Sequence, residues 1–258
     1  MAKIHPTAIV DSSAVLADDV EVGAYAYIGG GVNIGAGTIV AHHATVDGNT
    51  KIGEGNEIHP YAFIGGKTHD LKFTGGNPGL VIGNYNVFRE YTTAHMATAD
   101  GKSTIIGDHN NFLSYSHIAH DCVVGNHVLM SSHTGLAGHI VIGDHAVVAG
   151  LSGAHQFCRI GEYSMISSMT KQVKDLPPFF IADGNPAYVC TINKINMQRN
   201  GFTTEEIDIA YSAFKVIYKH GLSRPNAIAE LKHREYASSR VIKTLLKFME
   251  APSIRGLA

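Results

Sequence analysis

The stretch IAHDCVVGNHVLMSSHTGLAGHIVIGDHAVV, residues 118–148, decides the fold, because every sixth side chain in it is large and apolar. The residues at this spacing are Ile118, Val124, Met130, Leu136, Ile142 and Val148. The same phase covers residues 4–64, reappears at residues 82 and 88, and runs through residues 106–166. Ordinary strand alternation has a period of two and no reason to hold a period of six, so the pattern predicts a solenoid.

A second regularity accompanies the first. The side chain four residues after each apolar position is mostly small, as at Ser116, Cys122 and Thr134, and glycine often follows directly, as at Gly125 and Gly143. Each unit therefore has one large inward residue, one small inward residue and a tight turn. This is the hexapeptide signature of an all-β, left-handed parallel β-helix, in which three units close a triangular coil of 18 residues.

Two stretches leave the repeat and return in the same phase, at residues 66–81 and 96–103. Loops that leave a regular solenoid in this way usually carry function or assembly contacts. We therefore predict two excursion loops, the first of which carries the compact charged pair Asp70 and Lys72. This pair is either part of a solvated loop or an anchor for a sugar or nucleotide.

The repeat ends near Gln172, and a helical periodicity begins at Ile192. Thr203 and Glu206 have the spacing of a capping box before an apolar run, and shorter helices are predicted around 225–235 and 238–249. The predicted domains are a β-helix over residues 1–190 and a small C-terminal helical domain over residues 191–258.

The composition of the 258-residue chain narrows the classes of function. The formal net charge of −2 gives no reason to expect a nucleic acid or a membrane surface as partner. No apolar run is long enough to span a bilayer, and the N-terminus has no secretory signal. Three widely spaced cysteines, Cys122, Cys158 and Cys190, indicate reduced thiols and a cytoplasmic protein.

Coil stacking brings a set of polar residues together. Residues 18 apart lie one above the other at about 4.8 Å, the spacing of neighbouring strands. Asp121 is therefore predicted to lie below His139, and His120 below the bare backbone of Gly138, with His117 nearby. A histidine can take a proton from a hydroxyl, a carboxylate can orient it, and a glycine N–H can stabilise an oxyanion. The corner fits general-base acyl transfer, or it is a solvated polar corner.

Other histidines allow more than one interpretation. His109, His127 and His145 are each 18 residues apart and should stack in three successive coils. They form either a solvated stripe or a subunit contact, or they are three imidazole ligands of a zinc site. Three side chains stacked in a line do not easily take up the tetrahedral arrangement that zinc prefers. His155 and Gln156 belong either to the turn structure or to a substrate contact.

Several longer motifs resemble one family closely, the acyl-[acyl-carrier-protein]–UDP-N-acetylglucosamine O-acyltransferases of lipid A biosynthesis. The similarity covers the whole chain. The stretches that carry it are HIAHDCVVGN at 117–126, LAGH at 136–139, AHQFCRIG at 154–161, DLPPFFIADGNPA at 175–187, RNGFTTEEI at 199–207, DLKF at 70–73 and the terminal RGL at 255–257. The hexapeptide repeat is common to many acyltransferases, whereas this combination is far more specific.

The resemblance implies a role for each candidate residue. His120 would be the general base for the glucosamine 3-hydroxyl, Asp121 would orient it, and Gly138 N–H would form the oxyanion hole. Substrate contacts would come from His69, Asp70, Lys72, His117, His139, His155, Gln156, Asn193 and Arg199. Ser168, with Met169 beside it, would limit the acyl chain. The family is trimeric, takes its acyl group from the phosphopantetheine thioester of acyl-carrier protein, and needs no metal or other cofactor.

Three positions depart from the family pattern. Met96, Ile195 and Asn200 stand where the family usually has an arginine, a glutamate and a second arginine. Losing these charges weakens recognition of phosphate and uridine. A 3-amino analogue of the UDP-sugar is therefore an alternative acceptor. A zinc-dependent hydratase like the γ-class carbonic anhydrases is an alternative reaction on the same fold.

Overall fold

The computed structural model describes residues 1–258 and confirms a left-handed parallel β-helix followed by helices. In chain order the strands are β1 (Lys3–Ile4), β2 (Ile9–Val10), β3 (Val15–Leu16), β4 (Glu21–Val22), β5 (Tyr27–Ile28), β6 (Asn33–Ile34), β7 (Ile39–Val40), β8 (Thr45–Val46), β9 (Thr50–Ile52), β10 (Glu57–Ile58), β11 (Phe63–Gly66), β12 (Gly79–Ile82), β13 (Val87–Phe88), β14 (Thr93–His95), β15 (Ser103–Ile106), β16 (Asn111–Phe112), β17 (His117–Ile118), β18 (Val123–Val124), β19 (Leu129–Met130), β20 (Gly135–Leu136), β21 (Val141–Ile142), β22 (Val147–Val148), β23 (Gly153–Ala154), β24 (Arg159–Ile160), β25 (Met165–Ile166), β26 (Lys171–Gln172), β27 (Phe180–Gly184) and β28 (Ala187–Ile192). Most strands are two residues long, because each hexad supplies one strand and one turn.

Three sheets form the faces of the solenoid, and the chain passes from one to the next in turn. Sheet A has the order β1-β4-β7-β10-β13-β16-β19-β22-β25-β27-β28, sheet B has β2-β5-β8-β11-β14-β17-β20-β23-β26, and sheet C has β24-β21-β18-β15-β12-β9-β6-β3. The register confirms the predicted stacking, since His117 pairs with Gly135, and Gly135 pairs with Gly153. We name each corner by the two sheets that the chain joins there: AB, BC and CA.

Both excursion loops leave the solenoid at corner BC and are shorter than predicted. The first spans residues 67–78, because Gly66 ends β11 and residues 79–82 form β12 rather than loop. The second spans residues 96–102, since β15 begins at Ser103. The pairings Ile58–Phe88 and Phe88–Phe112 step by 30 and 24 residues instead of 18. The insertions are therefore whole hexads, which explains why the phase survives them.

The predicted histidine column lies at corner CA and is part of an aromatic ladder. The rings of Tyr85, His109, His127, His145 and Tyr163 follow one another at centroid distances of 4.7–5.1 Å, with planes within 14° of parallel. Each of these residues occupies the same left-handed turn position, with φ of 55–58°. Rings stacked face to face with nearly parallel planes cannot turn their nitrogens toward one ion, so the column is a ladder of turn residues and does not form the zinc site considered above.

The chain beyond the coils forms a hairpin and four helices. Antiparallel β27 and β28 extend sheet A, and the hydrophobic periodicity did not predict them. The helices are α1 (Lys194–Arg199), α2 (Thr204–Tyr218), α3 (Arg224–His233) and α4 (Arg240–Glu250). The capping box of Thr203 and Glu206 is confirmed at the start of α2, and α1 begins two residues after Ile192, where the helical periodicity was predicted to start. The predicted domain boundary between residues 190 and 191 falls inside β28 and stays a prediction.

A single core joins these parts. One cluster of 51 buried apolar residues includes both the inward column of the coils and the facing sides of the helices. Phe180 of β27 packs edge-on against Phe214 of α2, with ring centroids 5.8 Å apart. The helices therefore close the top of the solenoid core. None of them has the length and apolar character needed to cross a membrane.

Candidate active site

His120 and Asp121 form a short hydrogen bond in the BC turn between β17 and β18. Nδ1 of His120 lies 2.8 Å from Oδ2 of Asp121, and only 12% and 14% of the two side chains are exposed. Because an ionised carboxylate can only accept, Nδ1 carries the proton and donates it to Asp121. Nε2 of His120 is left as a free acceptor, which is the form that a general base requires.

Several donors keep the Asp121 carboxylate ionised. Burial raises the pKa of this carboxyl, but hydrogen bonding from His120 and Thr98 and the nearby His139 outweigh burial, and the pKa lies below its ordinary value. The backbone N–H of Thr98 donates to both carboxylate oxygens, at 3.3 and 3.2 Å. These contacts favour the negatively charged form of Asp121, and the charged carboxylate keeps the proton of His120 on Nδ1.

Thr98 and Thr68, which the sequence analysis missed, connect the excursion loops to this pair. Thr98 Oγ1 lies 3.1 Å from Nδ1 of His120 and 2.8 Å from Oγ1 of Thr68. The backbone N–H of Asp70 in turn donates to Thr68 Oγ1. Thr98 lies in the second loop, 22 residues before His120 and 23 before Asp121, so neither the 18-residue nor the 24-residue count places it beside them.

Gly138 and His139 lie one coil above, as the stacking predicted. A Cβ atom on Gly138 would lie 2.6 Å from Nε2 of His120, so only glycine leaves the space above that nitrogen open. The backbone N–H of Gly138 donates to no acceptor in the structure. Nε2 of His139 lies 3.8 Å from Asp121 Oδ2. A free base, an open space and an unpaired donor thus meet at one corner.

A second group, which we call the three-histidine cluster, consists of His69, His95 and His117. The His95 ring lies 4.1 Å from that of His69 and 4.8 Å from that of His117, nearly perpendicular to both. Burial, with a smaller contribution from the neighbouring histidines, lowers the pKa of His95 to about 4, and burial also lowers the pKa of His117. His117 Nδ1 is 2.7 Å from the hydroxyl of Thr93. His95 was not among the predicted site residues.

The first loop brings Asp70, but not Lys72, into contact range of the base. An oxygen of Asp70 and one nitrogen each of His120 and His139 lie within 4.8 Å of one another. Asp70 Oδ1 also accepts from the backbone N–H of Lys72, whose side chain is exposed. Met96 lines a neighbouring cavity of about 450 Å³ beneath this loop. The predicted sugar contacts of Asp70 and Lys72 stay predictions.

His155 and Gln156 are held by the C-terminal tail. Arg255 Nη2 donates to Nδ1 of His155 over 2.6 Å, and Arg255 Nε donates to the Gln156 carbonyl over 2.8 Å. Both His155 and Gln156 are exposed at corner BC. The tail therefore fixes the tautomer of His155 with its proton on Nε2. The terminal RGL motif contains Arg255, but its spacing gave no hint of this long-range contact.

Asn193 and Arg199 lie elsewhere in the single chain. They line a cavity of about 460 Å³ over sheet A, together with Leu129, Val147, Met165, Ile181, Ile192, Lys194, Ile195 and Asn196. Asn193 is buried, caps α1 and donates to the Tyr163 carbonyl. Asn200 ends α1 and donates to the Asn196 carbonyl over 2.9 Å. These residues approach no BC corner of their own chain, and their predicted nucleotide contacts stay untested.

The predicted acyl-chain positions lie at corner AB. Ser168 and Met169 are exposed, and Met169 has 73% of its surface accessible. Met169 borders a shallow cavity of about 340 Å³ with Gly153 and His155, so the outer face of sheet B connects it to corner BC. Gly135 and Gly153 place no side chain on that face, which leaves a flat floor between the two corners.

Coils of hexads with a histidine–carboxylate pair at one corner define an acyltransferase of the left-handed β-helix class. Residues 175–258 match the family model described as Udp N-acetylglucosamine O-acyltransferase, Domain 2. The chain is 43% identical to the acyl-[acyl-carrier-protein]–UDP-N-acetylglucosamine O-acyltransferase of Saccharophagus degradans, over 100% of this chain and 99% of that protein. It is 47% identical to the Paraburkholderia xenovorans enzyme of the same name, with the same coverage.

Solved structures agree with these relatives. The structure of LpxA from Acinetobacter baumannii matches with a TM-score of 0.95 at 43% identity, and 99% of each chain is covered. The UDP-N-acetylglucosamine O-acyltransferase of Moraxella catarrhalis matches with a TM-score of 0.94 at 40% identity, with 98% of each chain covered. The chain belongs to the acyl-[acyl-carrier-protein]–UDP-N-acetylglucosamine O-acyltransferase family.

Proposed function

We propose that this protein transfers a (3-hydroxy)acyl chain from acyl-carrier protein to the 3-hydroxyl of UDP-N-acetylglucosamine, the first step of lipid A biosynthesis. Relatives of full length carry this activity in their names. The observation that carries the proposal is the His120–Asp121 hydrogen bond of 2.8 Å beneath the open space at Gly138. That arrangement supplies a base and an oxyanion donor on one side of the reacting atoms.

The reaction balances with these residues alone. Nε2 of His120 takes the proton of the sugar 3-hydroxyl while the oxygen attacks the thioester carbonyl. The N–H of Gly138 donates to the tetrahedral oxyanion, and Asp121 stabilises the imidazolium that forms. The C–S bond then breaks, and His120 returns the proton to the leaving sulfur of the phosphopantetheine arm. No step calls for a cofactor of the protein itself.

We further infer a homotrimer in the cytoplasm, with substrate sites shared between neighbouring chains. Asn193 and Arg199 lie over sheet A, whereas His120 lies at corner BC, so one chain cannot bring both to the same small ligand. A neighbouring chain whose sheet A faces corner BC of the first chain would supply Asn193 and Arg199 to the site at His120. The three free cysteines and the acyl-carrier donor accord with the cytoplasmic location.

The direct test is an acyl-transfer assay with a panel of acyl-carrier-protein thioesters of different length, with and without a 3-hydroxyl group. UDP-N-acetylglucosamine and its 3-amino analogue are compared as acceptors, because Ile195 and Asn200 remove two charges that the family usually has. Ester formation on the 3-oxygen supports the proposal. Transfer only to the amine would replace it with an N-acyltransferase, and no transfer from any thioester would refute it.

A further inference from the structure

The three-histidine cluster has the composition of a metal site. One nitrogen each of His69, His95 and His117 lies within 4.8 Å of the other two. The three residues come from separate parts of corner BC and sheet B: the first excursion loop, the end of β14, and β17. Unlike in the aromatic ladder at corner CA, the rings are not all parallel: His69 and His117 lie within 19° of parallel, but His95 between them is turned 77° and 79° from its neighbours. Their nitrogens can therefore converge on one point.

The hydrogen bonding of the cluster leaves its nitrogens available. His95 is only 5% exposed, and its Nδ1 is buried without any hydrogen-bond partner. A buried polar atom that lacks a partner is rare in folded proteins and costs free energy unless something satisfies it. His117 Nδ1 is held by the Thr93 hydroxyl at 2.7 Å, so its Nε2 remains free. Such an outer partner fixes the ring of a histidine ligand.

We propose that His69, His95 and His117 bind one divalent transition-metal ion of the zinc type, and that the bound ion inhibits the enzyme. Three imidazoles suit Zn²⁺, whose Zn–N distances of about 2.0–2.1 Å correspond to nitrogens about 3.4 Å apart in a tetrahedron. The exposed His69 lies on a loop and can supply the small contraction from the present spacing. The fourth position takes water.

The inhibitory part rests on the proposed function. His69 and His117 are proposed to contact the substrate, and an ion would bind the free nitrogens of both. It would also tie the first loop to sheet B beside Asp70, which lies next to His69 in the chain. Sugar-nucleotide binding and metal binding then exclude each other, because both need the same side chains and the same loop position.

Metal binding is tested without reference to activity, by titrating the chelator-treated protein with Co²⁺ and following its visible absorption. Tetrahedral Co²⁺ bound by nitrogen shows intense d–d bands, and the absence of a near-ultraviolet thiolate band excludes the free cysteines as ligands. We expect one ion per chain, displaced by Zn²⁺. His69→Gln should weaken binding at least about tenfold, since even outer-shell changes cost 10–100-fold. His109→Gln, in the aromatic ladder at corner CA, is the matched control and should bind Co²⁺ as the wild type does.

Two outcomes of this titration would overturn the proposal. One is the absence of a tetrahedral Co²⁺ spectrum in the wild type, or its retention at full affinity in His69→Gln. The other is loss of the spectrum in His139→Gln but not in His69→Gln, because the ion would then occupy the Asp70, His120 and His139 group, whose atoms are also within 4.8 Å of one another.

The inhibition is tested separately, as the Zn²⁺ concentration that halves the metal-free rate of each variant. We expect His69→Gln to need at least about tenfold more Zn²⁺ than the wild type, in line with its weaker binding. Equal sensitivity of both proteins would refute inhibition through this site. If neither protein transfers acyl groups at all, the proposed function fails while the Co²⁺ result still decides the metal site.

Discussion

The chemistry at the residue scale depends on which nitrogen of His120 carries the proton. The carboxylate of Asp121 accepts from Nδ1, and the left-handed backbone of Asp121, with φ of 59°, turns that carboxylate back toward its neighbour. Aspartate is among the residues that tolerate this conformation. One residue therefore forms the turn and orients the base. Gly138 completes the site by carrying no side chain above Nε2.

The glycine requirement leads to a first prediction. Gly138→Ala should lower kcat/KM at least about tenfold, because the new methyl group would displace the His120 ring from the geometry that proton transfer needs. Gly135→Ala is the matched control for folding, since a Cβ at Gly135 would meet nothing within 4 Å. The Tm of both variants should stay close to that of the wild type. Full activity of Gly138→Ala would show that the space above His120 is not used.

The lowered pKa of Asp121 leads to a second prediction. A carboxyl whose folded-state pKa is depressed stabilises the protein above its ordinary pKa of 3.8, and that stabilisation is lost as the pH falls through the folded value. Asp121→Asn should therefore lower Tm at neutral pH, and the difference from the wild type should shrink below pH 3.8. Thermal melts of both proteins across this range provide the test. A difference in Tm that is independent of pH would contradict the assignment.

At the scale of elements, two loops lengthen their coils by whole hexads and reach corner BC without disturbing the other coils. Because each insertion is a multiple of six residues, the inward apolar column continues through the insertions unchanged, as the pairing of Phe88 with Phe112 shows. The second loop then provides Thr98 as a hydrogen-bond partner for His120 and Asp121. The solenoid thus positions the proposed base, His120, and the loops supply the residues around it.

The first loop gives a third prediction. Asp70→Ala and Lys72→Ala should raise KM for the UDP-sugar while leaving Tm nearly unchanged, because the loop lies outside the coils and Lys72 is exposed. The Asp70 side chain accepts one hydrogen bond, from the backbone N–H of Lys72 in the same loop. Steady-state kinetics and melting curves measure the two effects. An earlier melt with an unchanged KM would mean that the loop serves folding rather than substrate binding.

Features that follow the six-residue repeat could be predicted from the sequence, whereas features that depend on contacts outside the repeat could not. A strict hexad identifies each coil, and counting by 18 along the sequence is enough to place His120 beneath Gly138. Thr98 was missed because it lies in the second loop, where its separation of 22 residues from His120 follows no coil count. The contact of Arg255 with His155 spans 100 residues without a repeat to follow. The hairpin of β27 and β28 lies where the period ends, so no pattern predicted it.

At the scale of the whole molecule, the predicted site residues lie on different faces of one chain. The candidate nucleotide residues lie over sheet A and the base lies at corner BC, on different faces of one prism. A trimer in which sheet A of one chain faces corner BC of the next would complete three equivalent sites. Cyclic symmetry is the usual way for identical chains to close such an interface.

This arrangement is our fourth prediction, and sedimentation equilibrium at micromolar concentration measures it. We expect the mass of three chains of 27.6 kDa each. We expect His120→Ala and Arg199→Ala each to have low activity, and mixing the two chains should restore part of it, because some mixed sites combine an intact base with an intact neighbour. A monomer, or mixed trimers without any recovered activity, would contradict a shared site.

The central claim is that His120 is the general base, and the most direct measurement is kcat/KM of His120→Ala in chelator-treated buffer. A positioned base contributes about 10²–10⁴-fold, so we predict a loss of that size, with Tm, the trimer and UDP-sugar binding retained. The wild-type kcat/KM should fall at acid pH, since a protonated imidazole cannot accept the hydroxyl proton, and the chelator should leave its rate unchanged. Near-normal turnover by His120→Ala, or a wild-type activity that chelation removes and Zn²⁺ restores, would contradict this assignment.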